Sequence, residues 1–352
     1  MRTHELDYEL PENAIAQQPA EPRDSSRLLV DLGAEAGFED RTTRELPELL
    51  VSDDVLVVNN SRVMPARLRL RKTSGGQVEV LLLEPSTDGR WSALVRPGRR
   101  VPPRTQLCYE NKPVLEVGVP VGDCGRRWVQ LMVDPDVLMA QAGEVPLPPY
   151  VTTELADKER YQTVYSKRPV STAAPTAGLH LTNAVLDRCR ARGVQVCELE
   201  LAVGSGTFTS VATENLSDHE MHSERYLIPQ ATLTACKHAN RVVAVGTTVV
   251  RALEAAAASG LASGQTSLFI QPGYRFAMVD ALLTNFHLPR SSLLALMAAF
   301  MGARWRDAYV TALARGYRFL SLGDAMFCAR SSDSEHLGDL EQWDLEQLEP
   351  QR

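Results

Sequence analysis

A chain of 352 residues exceeds the size at which one hydrophobic core usually stops growing, so two domains are expected, and 44% hydrophobic with 23% charged content is ordinary for a soluble globular protein. The longest apolar run, Leu293 to Ala303, is too short to span a membrane, and the opening MRTHELDYELPENAIAQ lacks the apolar centre of a signal peptide. The net charge of −7 is uneven: residues 331–352 hold seven acids against one base, which leaves only −1 on the rest and keeps a nucleic-acid partner open.

Six scattered cysteines with no C-x-x-C pair point to reduced thiols rather than a disulfide framework or a structural zinc site. In chain order, a short helix is expected around Pro11–Gln17, then a strand at Arg27–Asp31, a helix at Thr43–Leu50 and an apolar strand at Val55–Val58. From Pro65 to Val133 the texture changes to short strands, Ala66–Lys72, Gln77–Glu84, Trp91–Arg96, Thr105–Glu110, Pro113–Val121 and Arg127–Val133. Turn signals such as Gly75-Gly76, Asp88-Gly89 and Pro97-Gly98 separate them, which predicts a small six-stranded antiparallel barrel closed off by the stiff Pro146-Leu147-Pro148-Pro149. Beyond Tyr150, strands at Val194–Val203, Arg241–Val245 and Ala281–Thr284 alternate with helices, the pattern of a largely parallel α/β sheet. A threonine after Gly246 is expected to cap a helix through Ala258, and Ser291 one that ends at Gly302. The expected organisation is an α/β domain from residues 1–61 and 147–330, an inserted barrel from 62–146, and an acidic flexible tail over 331–352.

The segment Ser171–His180, S-T-A-A-P-T-A-G-L-H, has no charge and suits neither helix nor strand. Pro175 fixes its own φ and extends Ala174, while Gly178 permits conformations closed to other residues. The segment delivers His180 to a helix capped by Thr182, so it is either a buried connection or a close backbone approach to a ligand. Three further loops, 203–208 (V-G-S-G-T-F), 246–248 (G-T-T) and 285–289 (N-F-H-L-P), fall at the carboxyl ends of expected strands, where open α/β sheets bind ligands.

These loops, with E-P-R-D-S-S-R-L-L (21–29), V-V-N-N-S-R-V-M-P-A-R-L (57–68), Y-Q-T-V-Y (161–165), H-E-M-H-S-E (219–224) and G-D-A-M-F (323–327), resemble the S-adenosylmethionine:tRNA ribosyltransferase-isomerases of queuosine biosynthesis. The resemblance runs over about residues 5–328. It implies a cytoplasmic enzyme, acting as a monomer away from membranes, whose fold is an α/β domain carrying a β-barrel. It implies transfer of the ribosyl unit of S-adenosylmethionine, a co-substrate rather than a cofactor, to 7-aminomethyl-7-deazaguanine at the tRNA wobble position. Rearrangement there gives epoxyqueuosine, with adenine and methionine released. Two positions depart from the family pattern: Ala202 stands where a histidine is usual, and Leu322 where a tyrosine is common.

The reaction needs a base for a proton beside a sulfonium, a place for adenine and a dry pocket. His287 and His180 are the imidazole candidates, with Asp324 and Glu224 as carboxylate alternatives, although a histidine in a tight loop also serves by bonding backbone. The matched motifs supply the substrate-binding candidates Arg23, Asp24, Arg27, Asn60, Arg62, Tyr165, Pro175, Thr176, Gly178, Gly204, Gly206, Thr207, Phe208, His222, Gly246, Thr247, Thr248, Asn285 and Phe286. Arg23, Asp24 and Arg27 either grip a carboxylate or form an ion-pair knot; Phe208, Tyr161, Tyr165 and Phe286 either stack on bases or pack the core. His219, Glu220, His222 and Glu224 are one residue short of the H-E-x-x-H zinc helix, so no metal is expected. Basic clusters at Arg62/Arg67/Arg69/Arg71/Lys72, Arg96/Arg99/Arg100/Arg104 and Lys158/Arg160/Lys167/Arg168 either meet tRNA phosphates or are solvated surface. Two rival readings use the same features: an S-adenosylmethionine-dependent tRNA methyltransferase, which lacks its G-x-G-x-G loop here, and a tRNA-binding module without chemistry.

Overall fold

A computed structural model describes residues 1–31, 33, 37–121, 125–204 and 210–331. The acidic stretch beyond Ser331 therefore lies outside the described residues. The described chain divides into two compact units: Met1–Arg62 with Pro148–Arg168 and the chain from Ala174 on, and Val63–Leu147 with Pro169–Ala173.

The smaller unit is the barrel. Its strands Arg67–Lys72, Gln77–Pro85, Trp91–Arg96, Arg126–Leu131, Lys112–Val121 and Thr105–Tyr109 neighbour one another in that order. The last returns to the first through Arg71 and Lys72, which closes the ring. Period-two alternation drives this: along Arg67–Lys72 the apolar Leu68 and Leu70 turn inward and the arginines outward. Val80, Leu82, Ala93, Val95, Leu107, Leu115, Val117 and Val129 complete the interior.

In the larger unit nine of the described strands form one mixed sheet, ordered Ser263–Thr266, Glu224–Leu227, Gln195–Leu201, Asp54–Asn59, Arg241–Val245, Ala281–Asn285, Ala325–Ala329, Arg27–Asp31 and Phe38–Thr42. The four from Gln195–Leu201 to Ala281–Asn285 are mutually parallel, so their carboxyl ends emerge along one edge. Asp54–Asn59 and Ala281–Asn285 are buried throughout, as strands covered on both faces require, which is why Val55–Val58 and Ala281–Leu283 within them are unbroken apolar runs. Helix Thr247–Ser259 follows Arg241–Val245, and helix Ser292–Met301 follows Ala281–Asn285; Ser291 caps the latter by accepting from the Leu294 amide at 3.2 Å.

Three local expectations change. Around Pro11–Gln17 there is only a 3-10 turn, Glu12–Ala14, because the Ala16 amide and the Ala14 carbonyl pair with Phe319 instead of continuing a helix. Thr43–Leu49 is likewise 3-10 rather than α, with Pro47, which has no amide to donate, inside it. Helix Thr247–Ser259 has no threonine cap; Gly246 holds the cap position at φ 92°, a left-handed geometry natural to glycine.

Candidate active site

The parallel edge gathers the expected loops. A narrow hollow of about 20 Å³ is bounded by Pro175, Thr176, Val203, Gly246–Thr248, Asn285 and His287. A second, of about 30 Å³, is bounded by Tyr150, Phe286, Leu320 and Ser321, and shares Thr176, Asn285, His287 and Leu293 with the first. Each takes one or two water-sized groups, which fits the tips of a ligand rather than its body. The amino terminus of helix Thr247–Ser259 opens onto the first hollow, so its free amides and dipole favour an anionic group there.

His287 and His180 occupy different chemical situations. The ring of His287 meets Thr284 Oγ1 through Nε2 at 3.0 Å, its amide donates to the Tyr309 hydroxyl at 2.9 Å, and its carbonyl accepts from the Tyr8 hydroxyl. Burial pushes its pKa down to about 3, so the imidazole is neutral. His180 has both ring nitrogens in use: Nδ1 meets Ser26 Oγ at 2.8 Å and Nε2 meets the Asn285 amide at 2.9 Å. Burial takes it down to about 4.

The carboxylate alternatives are tied into the protein. Asp324 accepts from the Arg27 and Arg318 amides at 3.1 and 2.8 Å and from the Arg318 guanidinium at 3.2 Å. Glu224 is buried in an ion pair with Arg251 and accepts from the Gly204 amide at 2.9 Å. Of the E-P-R-D motif, Arg23 donates to the carbonyls of Leu179 and Glu159, Asp24 meets Thr182 and Arg44, and Arg27 lies over the Tyr317 ring while pairing with Asp40. Asn60 donates to Glu198 at 2.8 Å, and Arg62 bonds Ser166 and Glu159. Phe286 is wholly buried and stacks on Phe319 with centroids 4.7 Å apart, so it walls the hollow from the core side. His222 is exposed, His219 packs edge-on against Phe269, and among the described residues no group of three or more His, Cys, Asp or Glu side chains is arranged to hold a metal ion. Gly206, Thr207 and Phe208 lie outside the described residues.

Gly178 shows why the P-T-A-G-L-H turn needs its glycine. A Cβ there would stand 2.0 Å from the Tyr165 hydroxyl oxygen and 2.9 Å from Thr163 Cγ2. That hydroxyl is buried and has no hydrogen-bond partner among the described residues. Gly178→Ala is therefore expected to cost about 1–3 kcal/mol by overpacking. Tyr165→Phe alone should be neutral or stabilising, and in combination should recover part of the loss, because the ring carbon still stands 3.0 Å away. Urea unfolding of the four proteins checks this; an unrelieved loss in the double variant would place the strain elsewhere.

The queuosine biosynthesis protein family model matches residues 3–328. The chain belongs to that family. Similar proteins named S-adenosylmethionine:tRNA ribosyltransferase-isomerase occur in Rubrobacter xylanophilus, at 49% identity over 93% of this chain and 97% of the relative, and in Thermus thermophilus, at 49% over 91% and 97%. A crystal structure of S-adenosylmethionine tRNA ribosyltransferase from Thermotoga maritima matches with a TM-score of 0.53 at 37% identity, covering 92% of this chain and 99% of that one. Of the two departures from the family pattern, Ala202 follows strand Gln195–Leu201 and donates its amide to the Arg225 carbonyl at 2.9 Å, and Leu322 is buried.

Sequence reasoning missed Asn59 within this family motif. Its Oδ1 accepts from the Ser61 and Leu201 amides, both at 3.1 Å, and its Nδ2 donates to the Leu201 carbonyl at 3.0 Å, which ties two strand ends beside the hollow. A buried asparagine ending an apolar run is the signal that marked it. Thr284, the partner of His287, was hidden because it counts as a strand residue by composition.

Proposed function

We propose that this chain transfers and isomerises the ribosyl moiety of S-adenosylmethionine onto 7-aminomethyl-7-deazaguanine at the tRNA wobble position, giving epoxyqueuosine-tRNA and releasing adenine and methionine. The observation that carries the reading is the near end-to-end match to relatives of that name, with the matched loops meeting at one sheet edge. The carbon bonded to a sulfonium is acidic, and His287, neutral and bordering both hollows, is the base for its proton. The amides at Thr247 and Thr248 suit the methionine carboxylate. Arg96, Arg99, Arg100 and Arg104 on the barrel are exposed and have no salt-bridge partner among the described residues, so they suit tRNA phosphates. The Arg160, Lys167 and Arg168 cluster, by contrast, is paired with Glu21, Glu198 and Glu200.

The same reading makes the enzyme cytoplasmic and free of a resident cofactor; among the described residues no helix is long and apolar enough to cross a membrane. Purified protein given S-adenosylmethionine and tRNA bearing the aminomethyl base is expected to release adenine and methionine in equal amounts, with a chelator present. S-adenosylhomocysteine as product would make it a methyltransferase, and no turnover at all would leave a binding module.

A further inference from the structure

We infer that a chain of side-chain hydrogen bonds behind the two hollows fixes the polarity of the hydroxyl at its end, so that Thr176 offers lone pairs only and docks a hydrogen-bond donor of S-adenosylmethionine. The inference rests on the proposed activity at the same site and adds which chemical group meets which residue.

The chain runs Thr43, Ser26, His180, Asn285, Thr176. Its direction follows from the carbonyls at its ends, since a carbonyl oxygen only accepts. The Asn285 amide nitrogen faces the Leu320 carbonyl at 3.2 Å, which sets the orientation of the whole side chain. The same nitrogen gives its other hydrogen to His180 Nε2 at 2.9 Å, so that nitrogen accepts and Nδ1 carries the ring proton. Nδ1 then donates to Ser26 Oγ at 2.8 Å, Ser26 passes its hydrogen to Thr43 Oγ1 at 2.8 Å, and Thr43 ends the series on the Ser26 carbonyl at 3.4 Å.

At the other end Asn285 Oδ1 can only accept, so Thr176 must donate to it, at 2.9 Å. Thr176 has one hydrogen, and it is now spent. Thr43, Ser26, His180 and Asn285 are at most 4% exposed, so no solvent is at hand to reverse any link, while Thr176 is partly open and borders both hollows. What remains on the ligand side is an acceptor. His180 and Asn285 are thus positioning residues: they hold the polarity of a group that touches the substrate.

S-adenosylmethionine has four donors, the two ribose hydroxyls, the adenine amine and the methionine ammonium. Binding without tRNA is measured by calorimetry for the wild-type chain, Thr176→Ser and Thr176→Val. Valine, which keeps the shape and removes the lone pairs, should weaken binding roughly tenfold, and serine by less than threefold. Four analogues, each lacking one donor, locate the partner: against one of them the valine penalty should vanish. A penalty unchanged against all four, or no penalty for S-adenosylmethionine itself, overturns the inference. His180→Gln, whose amide can accept from Asn285 and donate to Ser26, should keep wild-type affinity. His180→Leu should lose about as much as Thr176→Val, and the two losses should not add. Equal losses for glutamine and leucine would reduce His180 to packing and overturn its part. A wild-type chain that binds S-adenosylmethionine yet releases no adenine defeats the proposed activity alone; one that does not bind it defeats both.

Discussion

Alanine in place of His287 is expected to lower turnover by about 10²–10⁴-fold while S-adenosylmethionine affinity changes only a few-fold. The loop should survive the change. Its main chain is held at this residue by the Tyr309 and Tyr8 hydroxyls, which bond backbone atoms that alanine keeps. What alanine removes is the imidazole, whose neutral form prevails at any pH well above about 3. The base form is thus fully populated, while the same burial lowers its basicity, so removal of the proton beside the sulfonium runs uphill and is the step that loss of the imidazole slows. Single-turnover release of adenine, with binding measured separately, checks the split. Near-normal turnover in both His287→Ala and His180→Ala would remove the imidazoles from the chemistry and pass the role of base to a carboxylate, Asp324 or Glu224.

Acid should weaken the fold from about pH 6.5 downward, where its buried histidines begin to favour the unfolded chain. His180 and His287 have an ordinary pKa of 6.5 when unfolded and about 4 and 3 when folded, both lowered chiefly by burial. Between about pH 6.5 and 4 the unfolded chain therefore binds protons that the folded chain does not, so stability falls as pH falls. Each histidine contributes a slope of about 1.4 kcal/mol per pH unit in that window. Two together remove roughly 5 kcal/mol by pH 4.5, a large part of the 5–15 kcal/mol typical of a protein. Urea midpoints measured from pH 7.5 to 4.5 should show it, and His287→Gln should halve the slope. An unchanged slope in that variant would assign the acid sensitivity to other groups.

The barrel was legible because its signal is local. Alternation in L-R-L-R-K and turns such as Gly75-Gly76 are set by neighbours along the chain. Strands Phe38–Thr42, Glu224–Leu227 and Ser263–Thr266 were not legible: they are short, rich in polar residues and toward the sheet margins, where pairing with a neighbour rather than an apolar run makes them strands. At the site, glycines and prolines marked Pro175–Gly178 and Gly246, since backbone geometry leaves a trace in composition. Orientation leaves none. That His180 spends both nitrogens inside the protein while His287 borders the hollows depends on Ser26 and Asn285, 154 and 105 positions away from His180. The partners of the E-P-R-D arginines were hidden in the same way, because Arg23 and Arg27 donate to carbonyls 156 and 288 positions away.

The place of strand Asp54–Asn59 has a consequence for how the protein is made. Both of its sheet neighbours, Gln195–Leu201 and Arg241–Val245, come later in the chain. At ~5–20 residues per second, a ribosome needs on the order of ten seconds to supply the first of them. Meanwhile the intervening barrel closes on its own contacts, of which the pairing most distant in sequence joins Arg67 to Glu144. The central strand of the catalytic unit, apolar from Val55 to Val58, thus waits outside a finished domain with nothing to pair with. Synthesis order and assembly order run against each other here, and the nascent chain is most open to misassociation in the interval between them.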